Sequence, residues 1–234
     1  MALMTLRIPD RLGVGASLTY SERLNDAIAR IPSASALRVG RVLTETRAEG
    51  PGVRAAIWVA GCSLRCHDCF NEHLWSSENH PLQSTRDIGR DVLANEAIRG
   101  ITLLGGEPFN QAGPLADLAQ AARALGKDVL TFTGYTYTRL LRWSVDEPDV
   151  GRLVGETDLL VDGPFLADRV DTQRPWLGST NQTFLPLTGA GAALLPQPES
   201  TDRVEVTVLA DGTVTINGWA TRTTLQGIAA LARG

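Results

Sequence analysis

A chain of 234 residues is long enough for one sizeable α/β domain or a core domain with extensions, and too short for two comfortable domains. With 43% hydrophobic and 21% charged residues it has the make-up of a soluble globular protein, which excludes wholesale disorder. A net charge of -4 argues against a protein that grips phosphate backbones, so no nucleic-acid partner is expected, and no apolar run approaches the ~20 residues of a membrane helix, so no membrane partner is expected either.

In chain order, residues 1–36 read as an N-terminal extension in which Leu24, Ala27 and Ile28 suit a short amphipathic helix over 20–30, broken at Pro32. The opening stretch lacks the unbroken apolar run of a secretory signal, and a cytoplasmic location is expected. Residues 37–185 read as the core domain. From Arg54 strands and helices alternate: a buried strand over 55–60, a helix capped by Ser84 or Thr85 and carrying Ile88, Val92 and Leu93, then a strand over 100–104. Leu115, Leu118, Ala119, Ala122 and Leu125 keep helical spacing up to Gly126. A strand over 129–133, a helix through Leu140 and Leu141, and a strand over 158–162 follow. Alternation of this kind implies an α/β fold with a parallel sheet, and so few strands suggest a partial, open βα barrel. Its ligands belong at the C-terminal ends of the strands. Residues 186–202 read as a linker, and Val204–Leu209 with Val214–Ile216 as a C-terminal β-hairpin turning at Asp211-Gly212. A last helix is expected over 222–233. This tail either covers the open side of the core or binds a partner.

The three cysteines are Cys62, Cys66 and Cys69, spaced Cx3Cx2C. An odd number in one tight loop is no disulfide framework, but it can converge on a metal centre. Two centres fit the spacing. A zinc site needs a fourth ligand, which His73 can supply as Cys3His. A [4Fe–4S] cluster held by three cysteines leaves one iron open to a chelating small molecule. Further along, Gly100-Ile-Thr-Leu-Leu-Gly-Gly-Glu-Pro108 reads as a buried strand ending in two glycines and a carboxylate. The glycines permit close backbone approach, and Glu107 is able to accept hydrogen bonds from an ammonium. Alone, such a segment is most often a strand-to-helix turn; following the cysteine loop it carries more weight.

Taken together, the Cys62–Cys69 loop, Asn71 and Gly105-Gly106-Glu107-Pro108 resemble the radical S-adenosylmethionine (SAM) enzymes. Glu49–Arg54, Thr133–Thr136, Asp162–Phe165 and Pro175–Gln182 narrow the resemblance to the activating proteins of anaerobic ribonucleoside-triphosphate reductase, over roughly residues 37 to 185. The resemblance implies that Cys62, Cys66 and Cys69 bind the cluster and that SAM chelates its open iron. It also implies that Gly105, Gly106 and Glu107 contact the methionyl amine. Thr131, Thr133 and Asp162, at later strand ends, are candidates for the SAM ribose and carboxylate. Asn181, beside Ser179 and Gln182, is a candidate for lining the SAM or substrate side. The residue before the last cysteine is Asp68, where the family often has a hydrophobic or aromatic side chain near the adenine, so the adenine falls to backbone contacts. His67 reads as an exposed loop histidine, and Trp58, Trp75 and Trp219 as packing.

The implied reaction is reductive cleavage of SAM to a 5′-deoxyadenosyl radical that abstracts a hydrogen atom. The implied partners are a glycyl-radical enzyme as protein substrate and a flavodoxin or ferredoxin as electron donor. A stand-alone enzyme acting on a small metabolite or peptide is the alternative, and a non-enzymatic zinc or iron–sulfur module is a third reading.

Overall fold

The computed structural model describes residues 18–201, 203–208, 210–219, 227–228 and 230. In order, its elements are α1 (Tyr20–Arg30), β1 (Ala36–Thr46), β2 (Arg54–Val59), β3 (Leu82–Ser84), α2 (Thr85–Leu93), β4 (Gly100–Gly105), α3 (Ala112–Ala124) and β5 (Asp128–Phe132). They continue with α4 (Tyr137–Trp143), α5 (Pro148–Glu156), β6 (Leu159–Asp162), β7 (Thr183–Pro186), α6 (Gly189–Ala192), β8 (Val204–Val208) and β9 (Val214–Gly218). The expected helix over 222–233 falls largely outside the described residues.

Seven strands form one sheet in the order β3-β1-β2-β4-β5-β6-β7. The central strands β2, β4, β5 and β6 run parallel, as the alternation of elements implied. Antiparallel β1 and β3 bound one edge and antiparallel β7 the other. The outcome is a mixed α/β sheet of seven strands with two open edges; the strand order shows the parallel α/β core and not a barrel.

β2 and β6 are buried along their whole length, and β4 and β5 along all but their ends, which is why these strands read as largely apolar runs. Pleating divides their side chains between two faces. Ile57, Val59, Ile101, Leu103, Val129 and Leu160 meet the layer built by α1 to α5. Ala56, Trp58, Leu104, Leu130, Leu159 and Val161 turn to the other face, where Leu74, Leu177 and Leu194 cover part of the sheet. α1 joins the helical layer through Ala27 and Ile28, and Thr19 caps it in a reciprocal box with Glu22. The N-terminal segment is therefore packed core from Thr19 onwards. The lone lysine, Lys127, gives its ammonium to the carbonyls of Glu96 and Ile98 at 2.5 and 2.7 Å, a structural use.

The hairpin β8–β9 forms with its Asp-Gly turn, the Thr213 amide donating to Asp211 at 2.9 Å. It docks on the far side of the sheet from the helices. Glu205 accepts from the Thr46 hydroxyl at 2.5 Å and the Arg47 amide at 2.7 Å, and the Asn217 amide reaches Thr46 Oγ1 at 3.1 Å. The hairpin is thus anchored on the end of β1 by polar contacts.

Candidate active site

The cysteine loop leaves the C-terminal end of β2 and is tied down at both sides. Gly61 donates to Leu74 O at 2.8 Å and Cys62 to Trp75 O at 3.0 Å, so the chain returns alongside its own start. Arg65 and Asp68, each just before a cysteine, have positive φ of 48° and 56°. These left-handed turns are uncommon for residues with a side chain, and they fold Cys66 and Cys69 back toward Cys62. His67 is exposed, as its loop position implied, and lies beside Asp68.

The neighbouring strand end explains the glycine pair. At Gly105, with φ of 111°, an added Cβ would stand 2.6 Å from Val59 N; at Gly106 it would stand 2.4 Å from Gly61 O. With no side chains in the way, the Gly106 amide donates to Val59 O at 2.7 Å and the Glu107 amide to Gly61 O at 2.9 Å. The end of β4 is thereby stitched to the root of the cysteine loop.

Glu107 is almost fully buried. Its carboxylate accepts from the Phe109 amide at 3.0 Å, the Thr133 hydroxyl at 2.8 Å and the Gly134 amide at 2.9 Å. Burial pushes its pKa up to about 7, against the pull of those three donors. The thiols of Cys62, Cys66 and Cys69 are each raised as well, first by burial. Backbone amides oppose this at every sulfur: Arg65 and Leu64 at Cys62, Phe165 at Cys66, and Asn71 at Cys69. The Trp75 indole N–H is buried without a full hydrogen bond, yet it stands close enough to the Cys69 sulfur to favour its thiolate.

One cavity of about 670 Å³ collects these groups. Cys62, Cys66, Cys69, Gly105, Gly106, Glu107 and Thr133 all line it. The donor set suits an iron–sulfur cluster: three thiols share one wall, and each sulfur has a neighbouring N–H that stabilises its anionic form. A single zinc ion fits less well. Among the described residues no three His, Cys, Asp or Glu side chains converge closely enough to hold one ion, although His73 does face the cavity.

The chain belongs to the 4Fe-4S single cluster domain family. Its family model matches residues 48–185. Among relatives, the anaerobic ribonucleoside-triphosphate reductase-activating protein of Vibrio cholerae is 32% identical over 145 residues, covering 58% of this chain and 88% of that protein. The protein of the same name from Escherichia coli K12 is 32% identical over 141 residues, covering 57% and 88%. That of Enterobacteria phage T4 is 27% identical over 139 residues, covering 57% and 83%. No helix among the described residues is long and apolar enough to cross a membrane.

Three of the expected site residues are not among those that line this cavity. Thr131 is fully buried with its hydroxyl 2.9 Å from that of Thr157, because strand alternation turns it away from Phe132 and into the helical layer. Asp162 accepts from the Tyr137 amide at 2.8 Å and from the Thr183 hydroxyl, which commits it to the start of α4. Asn181 gives its amide to Pro164 O at 2.8 Å, and its neighbour Gln182 lines the cavity instead.

Other lining residues were not assigned to the site by the sequence, although Glu49 and Phe165 fall in stretches that carry the resemblance. Arg41, Trp58, Phe132 and Phe165 face the cavity from β1, β2, β5 and the loop after β6, and Glu49 from the β1–β2 connection. Ile216, Asn217, Gly218 and Trp219 face it from the hairpin. Trp58 and Trp219, expected as packing, therefore border the site too. Trp219 meets the Phe70 ring edge-on at 5.7 Å, and Phe70 in turn meets Phe165 at 5.1 Å.

Proposed function

We propose that this chain is a radical SAM enzyme that acts as a glycyl-radical activase. The observation that carries the reading is the meeting of Cys62, Cys66 and Cys69 with Gly105, Gly106, Glu107 and Thr133 in one cavity. In this reading the three cysteines hold a [4Fe-4S] cluster, and SAM binds between it and the end of β4. When bound, the pair supplies reductive cleavage of a sulfonium carbon–sulfur bond and a 5′-deoxyadenosyl radical that abstracts hydrogen.

The protein's part is positioning and shielding. Gly105 and Gly106 line the cavity, and their missing side chains let the end of β4 sit directly against the root of the cysteine loop. The Glu107 carboxylate, already oriented by Phe109, Thr133 and Gly134, has acceptor capacity left for an ammonium. Leu104, Phe132 and Phe165 make an apolar wall that keeps water from the reacting atoms. A flavodoxin or ferredoxin is the electron donor in this reading. The names of the relatives supply the partner, a reductase that carries the glycyl radical.

The hairpin favours a second reading, in which a stand-alone radical SAM enzyme acts on a small metabolite or peptide. Residues 216–219 border the same cavity from a segment that lies beyond residue 185, where the family match ends.

The test is anaerobic reconstitution with iron and sulfide, followed by dithionite, SAM and an assay for 5′-deoxyadenosine. Product that requires all three cysteines is expected. Glu107→Ala is expected to weaken SAM binding with iron content unchanged. A protein that binds zinc, forms no cluster and leaves SAM whole would return the site to a structural module. A glycyl-radical signal raised on a partner reductase separates the activase from the stand-alone enzyme.

A further inference from the structure

We infer that Arg41 is an anion-binding group of this cavity, placed to receive a carboxylate or phosphate of the molecule acted on. The inference deepens the radical SAM reading and rests on it for the word substrate, but the binding site itself stands on geometry. The Arg41 guanidinium lies 5.5 Å over the Trp58 ring and donates to Ile216 O at 3.2 Å. Those contacts hold it between β2 and the hairpin and occupy few of its five N–H donors. Arg41 also lines the cavity. Among the described residues no carboxylate lies within ion-pair distance of it.

The two nearby acids do not fill that role. Glu205 is spent on Thr46, Arg47 and Asn217. Glu49 borders the same cavity, but burial pushes its pKa up to about 7, so much of its population is uncharged near neutrality. A half-buried guanidinium in a largely apolar cavity, attracted to Glu49 but in no ion pair with it, favours an anionic ligand, and its planar fork matches carboxylate and phosphate oxygens.

Position separates this group from the SAM end of the site. Arg41 pairs with Trp58 on β2, and Trp58 with Leu104 on β4, next to Gly105. Two strand spacings, about 10 Å, therefore divide the Arg41 backbone from the strand end read as holding the methionyl amine. A methionyl carboxylate shares one carbon with its amine and spans far less. The contact with Ile216 keeps the guanidinium from reaching across. The anion then belongs to the second molecule in the cavity.

Two titrations test this on the full chain. In the first, inorganic phosphate is added to the metal-free protein at constant ionic strength and read by tryptophan emission, since Trp58 lies under the guanidinium. A saturable change is expected in the parent, with the half-saturating concentration raised at least tenfold in Arg41→Gln. Arg41→Met, which keeps the packing on Trp58, takes its place if thermal melting shows the Gln variant misfolded. No saturable change in the parent, or an equal one in the uncharged variant, overturns the inference. In the second, SAM affinity of the reconstituted protein is measured by equilibrium dialysis and is expected to agree within twofold between parent and variant. A tenfold loss assigns the anion to the methionyl carboxylate and also overturns the inference. Failure of the reconstituted parent to cleave SAM would refute the enzymatic reading alone, because the phosphate titration needs neither cluster nor SAM.

Discussion

Replacing Glu49 by Gln isolates the effect of holding a carboxyl under the C-terminal hairpin. In the unfolded chain this group ionises near 4.5, whereas in the folded protein burial raises its pKa to about 7, with Asn217, Gly218 and Arg41 opposing the rise. Between those two values the native state holds more protons than the unfolded state. Stability therefore falls as pH rises through that window and levels off above it. The full displacement corresponds to roughly 3 kcal/mol, of which about 2.5 kcal/mol develops between pH 5 and pH 8. Gln preserves shape and hydrogen-bonding capacity but does not titrate. Its stability relative to the parent should rise by that amount over the same interval. The assay is urea unfolding of the metal-free full chain at both pH values, with equal m-values confirming that the same surface is exposed. Glu107 and the cysteines titrate in both proteins and cancel in the difference. Parallel pH curves for parent and variant would refute the assignment of a buried, proton-retaining Glu49.

Gly106→Ala drives a Cβ to 2.4 Å from Gly61 O and should cost about 1–3 kcal/mol while pushing the cysteine loop off the end of β4. Urea midpoints and iron per chain after reconstitution check both effects, and parent-like values in the two would contradict the stitching role. Arg54→Met removes a fully buried guanidinium that bonds Thr102 Oγ1 at 2.8 Å and Ile101 O at 2.6 Å and pairs with Asp128 at 2.7 Å. A loss of about 3–5 kcal/mol is expected by thermal or urea melting, because Thr102 and the Ile101 carbonyl lose their donor and Asp128 keeps only Arg99; a loss under 1 kcal/mol would show that the apolar replacement repacks freely. Asp162→Ala should lower stability by about 1–2 kcal/mol through the lost contact to the Tyr137 amide and leave SAM affinity unchanged. A large fall in SAM affinity at full stability would restore the ligand role first suggested by its place at a strand end.

The parallel core was readable because both of its faces are covered. Ala55–Ala60 and Ile101–Leu104 are continuous apolar runs, and only a sheet buried on both sides requires them. The edges were harder to read. β1 places Leu37 and Val39 inward, but Arg38, Gly40 and Arg41 dilute the pattern, and its burial comes from α2, β3 and the hairpin. α5 carries Pro148 at its start with Val150 and Leu153 buried, a signal of the right form in too short a segment to stand out. In the site, the spacing of Cys62, Cys66 and Cys69 and the Gly105–Glu107 turn were legible because local chemistry demands those residues in order. Thr131 was not, since one residue of strand register decides whether a hydroxyl faces the cavity or the helices. Arg41 and Glu49 lie far from Asn217 in sequence and meet it only through docking of the hairpin.

The cavity is thus assembled from two kinds of chain. The cysteines, Gly105–Glu107 and Thr133 lie inside residues 48–185, the stretch shared with the 4Fe-4S single cluster family. Arg41 lies before that stretch and Ile216–Trp219 after it, and the Glu205 and Asn217 bonds to Thr46 join the two flanks to each other. Neither flank is positioned without the other: β1 offers the hairpin its polar anchor, and the hairpin fixes the Arg41 guanidinium over Trp58. Such an arrangement leaves the cysteine end of the site within the stretch the family model matches and puts the opposite end under residues outside it. The Phe70, Phe165 and Trp219 rings and the Arg41 guanidinium all border that cavity. In the proposed radical SAM reading, selection of the molecule acted on would rest on these flanks, and substitutions there should change which molecule reacts before they change whether SAM is bound.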